Sequence, residues 1–288
     1  MSTRLTSMAA VAVAVVLTLC GAVPAYADGQ GGGGVDGNGG DTSGPGYDIS
    51  YPQCNGAFPS AAAFGIVGVD GGRVHLANPC LGTDGGPSEL AWAVATGAPQ
   101  LYANTGDPGP AYSRYWDIAG WNDYPRACSA DDPNSAGCSY DYGWYAAQDS
   151  FTTATDAEFQ LSPGADARAA AAAVPWWLDV ETANSWQALE QGYTDEQVTA
   201  QANDVAALQG EVAYLQSQGV SQVGVYSTAY QWRLITGGAL FLPNASWVAG
   251  FTSEPDAAAG CAAPSGFTGG EIVLTQYVDD GADVDYAC

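Results

Sequence analysis

Val174-Pro175-Trp176-Trp177-Leu178-Asp179-Val180-Glu181 is the stretch from which the fold of this chain is read. It follows a run of alanines and precedes a polar loop, and its core has the apolar character of a buried strand. Two carboxylates then appear at i and i+2. Side chains two apart on a strand point to the same face, with Cα atoms roughly 6–7 Å apart. Asp179 and Glu181 are therefore expected on one surface at the strand's C-terminal end. Two acids so placed, behind two tryptophans, suit the cutting of a glycosidic bond: one donates a proton and the other steadies the charge that develops on the sugar. The competing reading is a strand that simply ends in solvated acids.

Outward from that stretch, short apolar strands alternate with helical segments. Strands are expected at 46–50, 64–69, 100–104, 222–227, 247–251 and 272–277, with 284–286 closing the set. Helices are expected from Ser88 to Ala95, from about Tyr142 to Ala157, and from Ala229 to Ile235. The clearest helix opens on Thr194-Asp195-Glu196-Gln197, which has the form of a capping box, and continues with Val198, Ala202, Val205, Leu208, Val212 and Leu215 at helical spacing. Residues 105–140 form an excursion rich in Gly, Pro, Asp and aromatics. Alternating strands and helices imply βαβ units and a mostly parallel sheet. A strand count near eight, the size, and the lack of a glycine-rich nucleotide loop favour an irregular TIM-type (β/α) barrel, with weak or missing helices after the last strands.

Residues 1–27 have the form of a secretory signal peptide, with Arg4, an apolar run from about Met8 to Val23, and an Ala25-Tyr26-Ala27 cleavage site. The run is short for a membrane span, so a secreted or wall-associated monomer is expected, with no membrane association once processed. Residues 28–46 are glycine-rich and read as a flexible linker. Residues 47–288 form a single barrel domain. After processing, six cysteines remain: Cys54, Cys80, Cys128, Cys138, Cys261 and Cys288. An even number in an exported chain implies disulfides. Of the fifteen possible pairings, Cys54–Cys80, Cys128–Cys138 and Cys261–Cys288 are favoured because each closes a local loop. A metal site is the alternative, but there is no C-x-x-C pair and His75 is the sole histidine. The chain carries 31 acids and no lysine, which excludes nucleic-acid and anionic-membrane partners on electrostatic grounds.

Active groups of a parallel barrel gather at the C-terminal ends of its strands. The acids at such ends are Asp48, Asp70, Asp179 with Glu181, and Asp283 with Asp285. Tyr102, Tyr226, Trp247 and Tyr277 hold comparable positions, with Gln276 beside the last. Aromatic faces against sugar rings, with acids about the scissile bond, would make a saccharide cleft. Tyr226 and Trp247 could equally be plain core, and Asp70, followed by Gly71-Gly72, reads as a turn residue. His75 reads as a surface or packing histidine, since its setting lacks a nucleophile elbow.

The Gly46-Tyr47-Asp48-Ile49-Ser50 segment with Gln53 resembles the G-x-D-x-S opening of the glycoside hydrolase family 25 lysozymes. Leu178-Asp179-Val180-Glu181 resembles that family's D-x-E strand, and Gln276-Tyr277 followed by Val284-Asp285 is similar to its Q-Y and V-D close. The resemblance implies an irregular (β/α) barrel cleaving the β-1,4 bond after N-acetylmuramic acid in peptidoglycan, without metal or cofactor. It implies Glu181 as general acid, Asp179 as support for the substrate's own N-acetyl group, and Asp48 and Asp285 as charge-tuning neighbours, with net retention. Three features depart from the family. The third strand, Leu101-Tyr102-Ala103-Asn104-Thr105, lacks a histidine; the 105–140 excursion is extra; and Asp285 is followed by Tyr286-Ala287. The chain looks closer to a diverged, disulfide-rich group of secreted actinobacterial proteins. A non-catalytic saccharide-binding or wall-associated module on the same fold stands as the alternative function.

Overall fold

A computed structural model describes residues 44–54, 56–83, 86–116, 125–126, 128–190 and 195–288. The expected signal peptide, the linker up to residue 43, and the Thr194 end of the capping box lie outside the described residues. Eight strands close into a barrel in which each pairs with the next in sequence. They are β1 (Gly46–Ile49), β2 (Gly65–Gly68), β3 (Pro99–Asn104), β4 (Trp176–Asp179), β5 (Val223–Ser227), β6 (Ala245–Phe251), β7 (Ile272–Asp279) and β8 (Ala282–Ala287). Strands β1 to β7 run parallel, whereas β8 is antiparallel to both β7 and β1. The mouth described below lies at the C-terminal ends of the seven parallel strands.

Helices fill most crossovers: α1 (Glu89–Ala95), α2 (Ala136–Leu161), α3 (Ala167–Ala172), α4 (Gln187–Glu190), α5 (Asp195–Ser217), α6 (Ala229–Thr236) and α7 (Glu254–Gly260). As the sequence leads one to expect, the last crossovers are thin: α6 and α7 have eight and seven residues, and only a turn at Asp280 and Gly281 separates β7 from β8. Helix α1 starts where Ser88 accepts a hydrogen bond from the Ala91 N–H at 3.0 Å, relieving one of the orphan donors of a helix N-terminus.

Strand alternation sorts the core into two layers. Outward-facing Val67, Leu101, Leu178 and Val225 pack with Phe151 of α2, Leu208 and Leu215 of α5, and Trp232 and Ile235 of α6. Each such fully buried side chain stabilises the fold by about 1.5–3 kcal/mol relative to exposure. Inward-facing Ile66, Trp177, Trp247 and Leu274, with Phe64, fill the lower barrel. The Trp177 ring lies so close to β5 that a Cβ on Gly224 would sit 2.2 Å from it. On the outside, α2 and α5 approach equally closely: a Cβ on Gly210 would lie 2.0 Å from the Tyr140 carbonyl.

Helix α5 differs from its apolar pattern. Val198 is 67% exposed, while Asn203, Asp204 and Glu211 are buried. The reason is tertiary: Asp204 accepts hydrogen bonds from the backbone N–H groups of Gln187 and Ala188 at 3.1 and 3.0 Å, so this face of α5 serves α4 rather than an apolar layer. The three disulfides are Cys54–Cys80, Cys128–Cys138 and Cys261–Cys288, with Cα separations of 5.4, 4.3 and 5.3 Å, the local pairing favoured above.

Candidate active site

Register carries polar side chains into the upper barrel. Asn104 pairs with Asp179, Asp179 with Tyr226, Tyr226 with Trp247, and Gln276 with Asp285. Directly paired residues share a face, so these side chains turn inward together. Asp48 joins them, because Gly46, two residues before it, pairs with Asp285. Tyr102 lies two residues before Asn104 on the same face. A polar layer thus caps the apolar one, with carboxyl groups from β1, β4 and β8.

Hydrogen bonds tie the layer into one network. The Tyr226 hydroxyl donates to Gln276 Oε1 at 2.8 Å, and Gln276 Nε2 donates to Asp48 Oδ2 at 2.7 Å. Trp247 Nε1 donates to Asp285 Oδ1 at 2.9 Å. Burial pushes the Asp48 carboxyl up to about 7, with the Asp283 charge adding to the effect and the Gln276 bond opposing it. Asp285 is held well above the usual carboxylate range, first by burial and then by the charge of Asp48. Such neighbouring buried carboxyls hold on to protons, because a second negative charge cannot be stabilised there.

Asp179 is also buried, and burial followed by the Glu181 charge raises its pKa well above the ordinary value. Asn104 Nδ2 donates to its Oδ2 at 2.5 Å, while Oδ1 has no partner. Asn104 is itself fixed by Asp70, whose Oδ2 accepts the Asn104 N–H at 2.9 Å and which also binds Ser150 of α2. Asp70 is therefore a buried brace rather than a turn residue; desolvation raises its pKa to about 8. Strand β4 ends at Asp179, so Glu181 sits two residues beyond it, although the Val180 N–H still bonds the Tyr226 carbonyl at 2.9 Å. Glu181 is partly exposed and meets Gln231 Nε2 of α6 at 3.5 Å. The arrangement supplies one solvent-reachable carboxyl beside one buried carboxyl.

Of the sequence candidates, the structure gathers Asp48, Tyr102, Asp179, Tyr226, Trp247, Gln276 and Asp285 inside the barrel, with Glu181 just above. Tyr277 is separated from them. It pairs with Val284, which pairs in turn with Tyr47, and this set faces outward because each member neighbours an inward residue. Trp247 is only 2% exposed; it holds Asp285 and contacts the Tyr226 ring at 4.5 Å, forming the wall of the layer. Sequence reasoning missed Asn104 as the partner of Asp179, although its i+2 relation to Tyr102 was a usable signal. It also missed Gln231 and Asn184, whose loop and helix positions carry no periodic mark.

The chain is similar in fold to a muramidase from Trichobolus zukalii, at 18% identity over 85% of this chain and 93% of that one, with a TM-score of 0.49. It is similar as well to a family GH25 lysozyme from Aspergillus fumigatus, at 15% identity over 85% and 93% of the two chains and a TM-score of 0.48. A bacterial lysozyme from Streptomyces coelicolor is 15% identical over 86% and 93%, with a TM-score of 0.46. No protein-family model matches this sequence, and no curated protein matches it.

Proposed function

We propose that this chain is a secreted glycosidase that hydrolyses a β-1,4 bond in peptidoglycan or a related polysaccharide, with Glu181 as proton donor and Asp179 as its partner. The observation that carries this reading is the pairing of a buried, charge-suppressed Asp179 with a solvent-reachable Glu181 at the barrel mouth. Asp48, Asp285, Tyr102 and Tyr226 surround the pair. Three disulfides support export.

In the first step the Glu181 carboxyl gives its proton to the glycosidic oxygen as the bond to the anomeric carbon breaks. The substrate's N-acetyl oxygen then closes on that carbon, and Asp179 Oδ1, the oxygen left without a partner, accepts from the N-acetyl N–H. Water, deprotonated by the Glu181 carboxylate, opens the intermediate from the face the leaving group vacated, so configuration is retained. Burial raises the pKa of both Asp48 and Asp285, which reduces the negative charge that would oppose Glu181 ionisation during the second step.

Release of new reducing ends from purified peptidoglycan by the mature protein, beside a Glu181→Gln variant, tests this. Release by the wild type alone establishes the glycosidase. Retained binding with no release from either protein replaces it with the saccharide-binding module, the reading favoured by the lack of a histidine on β3.

A further inference from the structure

The barrel mouth holds a second feature that the proton-donor chemistry does not use. A cavity of about 630 Å³ opens beside the acids, within the roughly 300–1,000 Å³ typical of small-ligand pockets. Its walls are residues 72–76 after β2, parts of 105–115 after β3, and 183–185 after β4. Thr105 Oγ1 and Asn184 Nδ2 line it and donate to the Asp179 carbonyl at 2.5 and 3.1 Å. The cavity therefore shares a wall with the strand that presents the acid pair.

Charge sets this cavity apart. The chain has six basic residues, all arginine, against 31 acids, and two of the six, Arg73 and Arg114, line the cavity. No carboxylate among the described residues forms an ion pair with either guanidinium. Arg114 instead donates to the Tyr115 hydroxyl at 2.5 Å. In so acidic a chain, two uncompensated guanidinium groups at a concave surface are placed for an anion, and their fork geometry fits a carboxylate.

The remaining wall is built for a polar ring. His75 adopts φ +61°, a backbone conformation that points to a local purpose when a non-glycine residue holds it. Its side chain is 2% exposed, its Nδ1 bonds Asp149 Oδ2 at 2.8 Å, and its ring stacks on Tyr115 at 4.1 Å. Its Nε2 is nevertheless buried without a partner, an uncommon state for a buried polar atom. Tyr112 stands on the rim, 72% exposed, the kind of surface on which a sugar ring packs.

We propose that this cavity is a subsite for an acidic sugar residue, its carboxylate held by Arg73 and Arg114 and its ring packed against Tyr112. His75, stacked on Tyr115, backs the wall behind that ring. The proposal rests on the saccharide reading of the neighbouring acids, and the shared wall at Asp179 makes the bound residue a continuation of the same glycan. A peptide carboxylate would satisfy the arginines but would leave the exposed Tyr112 face without a ring.

His75 is the sole histidine, so its imidazole NMR signals report on this cavity alone. The mature Glu181→Gln protein is titrated separately with N-acetylmuramic acid, glucuronic acid, uncharged N-acetylglucosamine, and an alanyl-alanine dipeptide bearing a free carboxylate. A saturable shift with either acidic sugar, absent with N-acetylglucosamine, supports the subsite and tells which acidic sugar it takes. The double variant Arg73→Gln/Arg114→Gln, altered at two exposed positions, is expected to keep its Tm and to bind the acidic sugar about tenfold more weakly or worse. Equal response to the uncharged sugar, response to the dipeptide alone, no response to either acidic sugar, or unchanged affinity in the double variant would overturn it. Binding without peptidoglycan hydrolysis by the wild type keeps the subsite and removes the glycosidase; hydrolysis without binding does the reverse.

Discussion

Two groups of buried carboxyls lie on opposite sides of the barrel wall. Inside are buried Asp179 and Asp285 with the half-buried Asp48; outside, between the wall and helices α2, α4 and α5, are Asp107, Asp204 and Glu211. Desolvation is the first cause of the raised pKa in every one of them, bringing Asp107 to about 6 and holding Asp204 and Glu211 well above the ordinary value. What differs is reach. Both oxygens of Asp204 are taken by backbone N–H groups at the start of α4. Gln187 donates to Asp107 Oδ2 at 3.0 Å and accepts from Asn203 at 3.2 Å. None of these three carboxyls is more than 1% exposed, whereas the inner set ends in the partly exposed Glu181. A raised carboxyl pKa therefore marks chemistry only where a substrate can arrive; elsewhere it is the consequence of a buried helix cap.

The comparison breaks most visibly in turnover. Glu181→Gln is expected to lower the rate of reducing-end release by about 10²–10⁴-fold, the usual contribution of a general acid, while urea unfolding shifts by no more than about 0.5 kcal/mol. Asp204→Ala should do the opposite, costing about 2–3 kcal/mol of stability by stranding two buried N–H donors while specific activity of the folded fraction is kept. If Asp204→Ala abolished turnover without moving the unfolding midpoint, the division of roles would fail.

A third expectation concerns pH. Asp70 at about 8, Asp48 at about 7 and Asp107 at about 6 all lie above the ordinary value of 3.8. Between pH 4 and pH 8 the folded chain thus holds more protons than the unfolded chain, and stability falls as pH rises through that window. Differential scanning calorimetry should show the highest Tm near pH 4–5 and a decline toward pH 8. Asp70→Asn, which keeps an acceptor for the Asn104 N–H, should flatten that decline; an unaltered slope would remove Asp70 from the account.

The smallest effects separate the inner face of β5 from the outer face of β7. Tyr226→Phe removes the donor to Gln276 and should cost about 3–10-fold in turnover, the worth of one net hydrogen bond. Tyr277→Phe, on the outer face, should leave turnover within about twofold, since it removes no group inside the barrel. Steady-state rates on peptidoglycan decide both, and an equal loss in the two variants would contradict the assigned faces.

Much of this molecule was legible beforehand because it is local. Alternating strands and helices, the dwindling late helices, and three disulfides that close short loops depend on neighbours in the chain. Asp48 and Asp179 were found because they stand toward the ends of parallel strands, whereas Asp285, expected at such an end, lies within the antiparallel β8 and reaches the layer by pairing with Gln276. The tertiary structure decided which side of each strand is the inside. Gln276 and Tyr277 are adjacent and both polar-capable, so period two places them on opposite faces without saying which face is which; pairing of Gln276 with Asp285 on the antiparallel β8 settles it. For α5, helical spacing marked Val198 as core, but the buried face is the one that carries Asp204 to the first N–H groups of α4. His75, an isolated residue in a loop, acquired its place only from Asp149 and Tyr115, far from it in sequence. Periodicity is a property of the chain alone, whereas inside and outside are created only when the barrel closes and most buried polar atoms take partners across it.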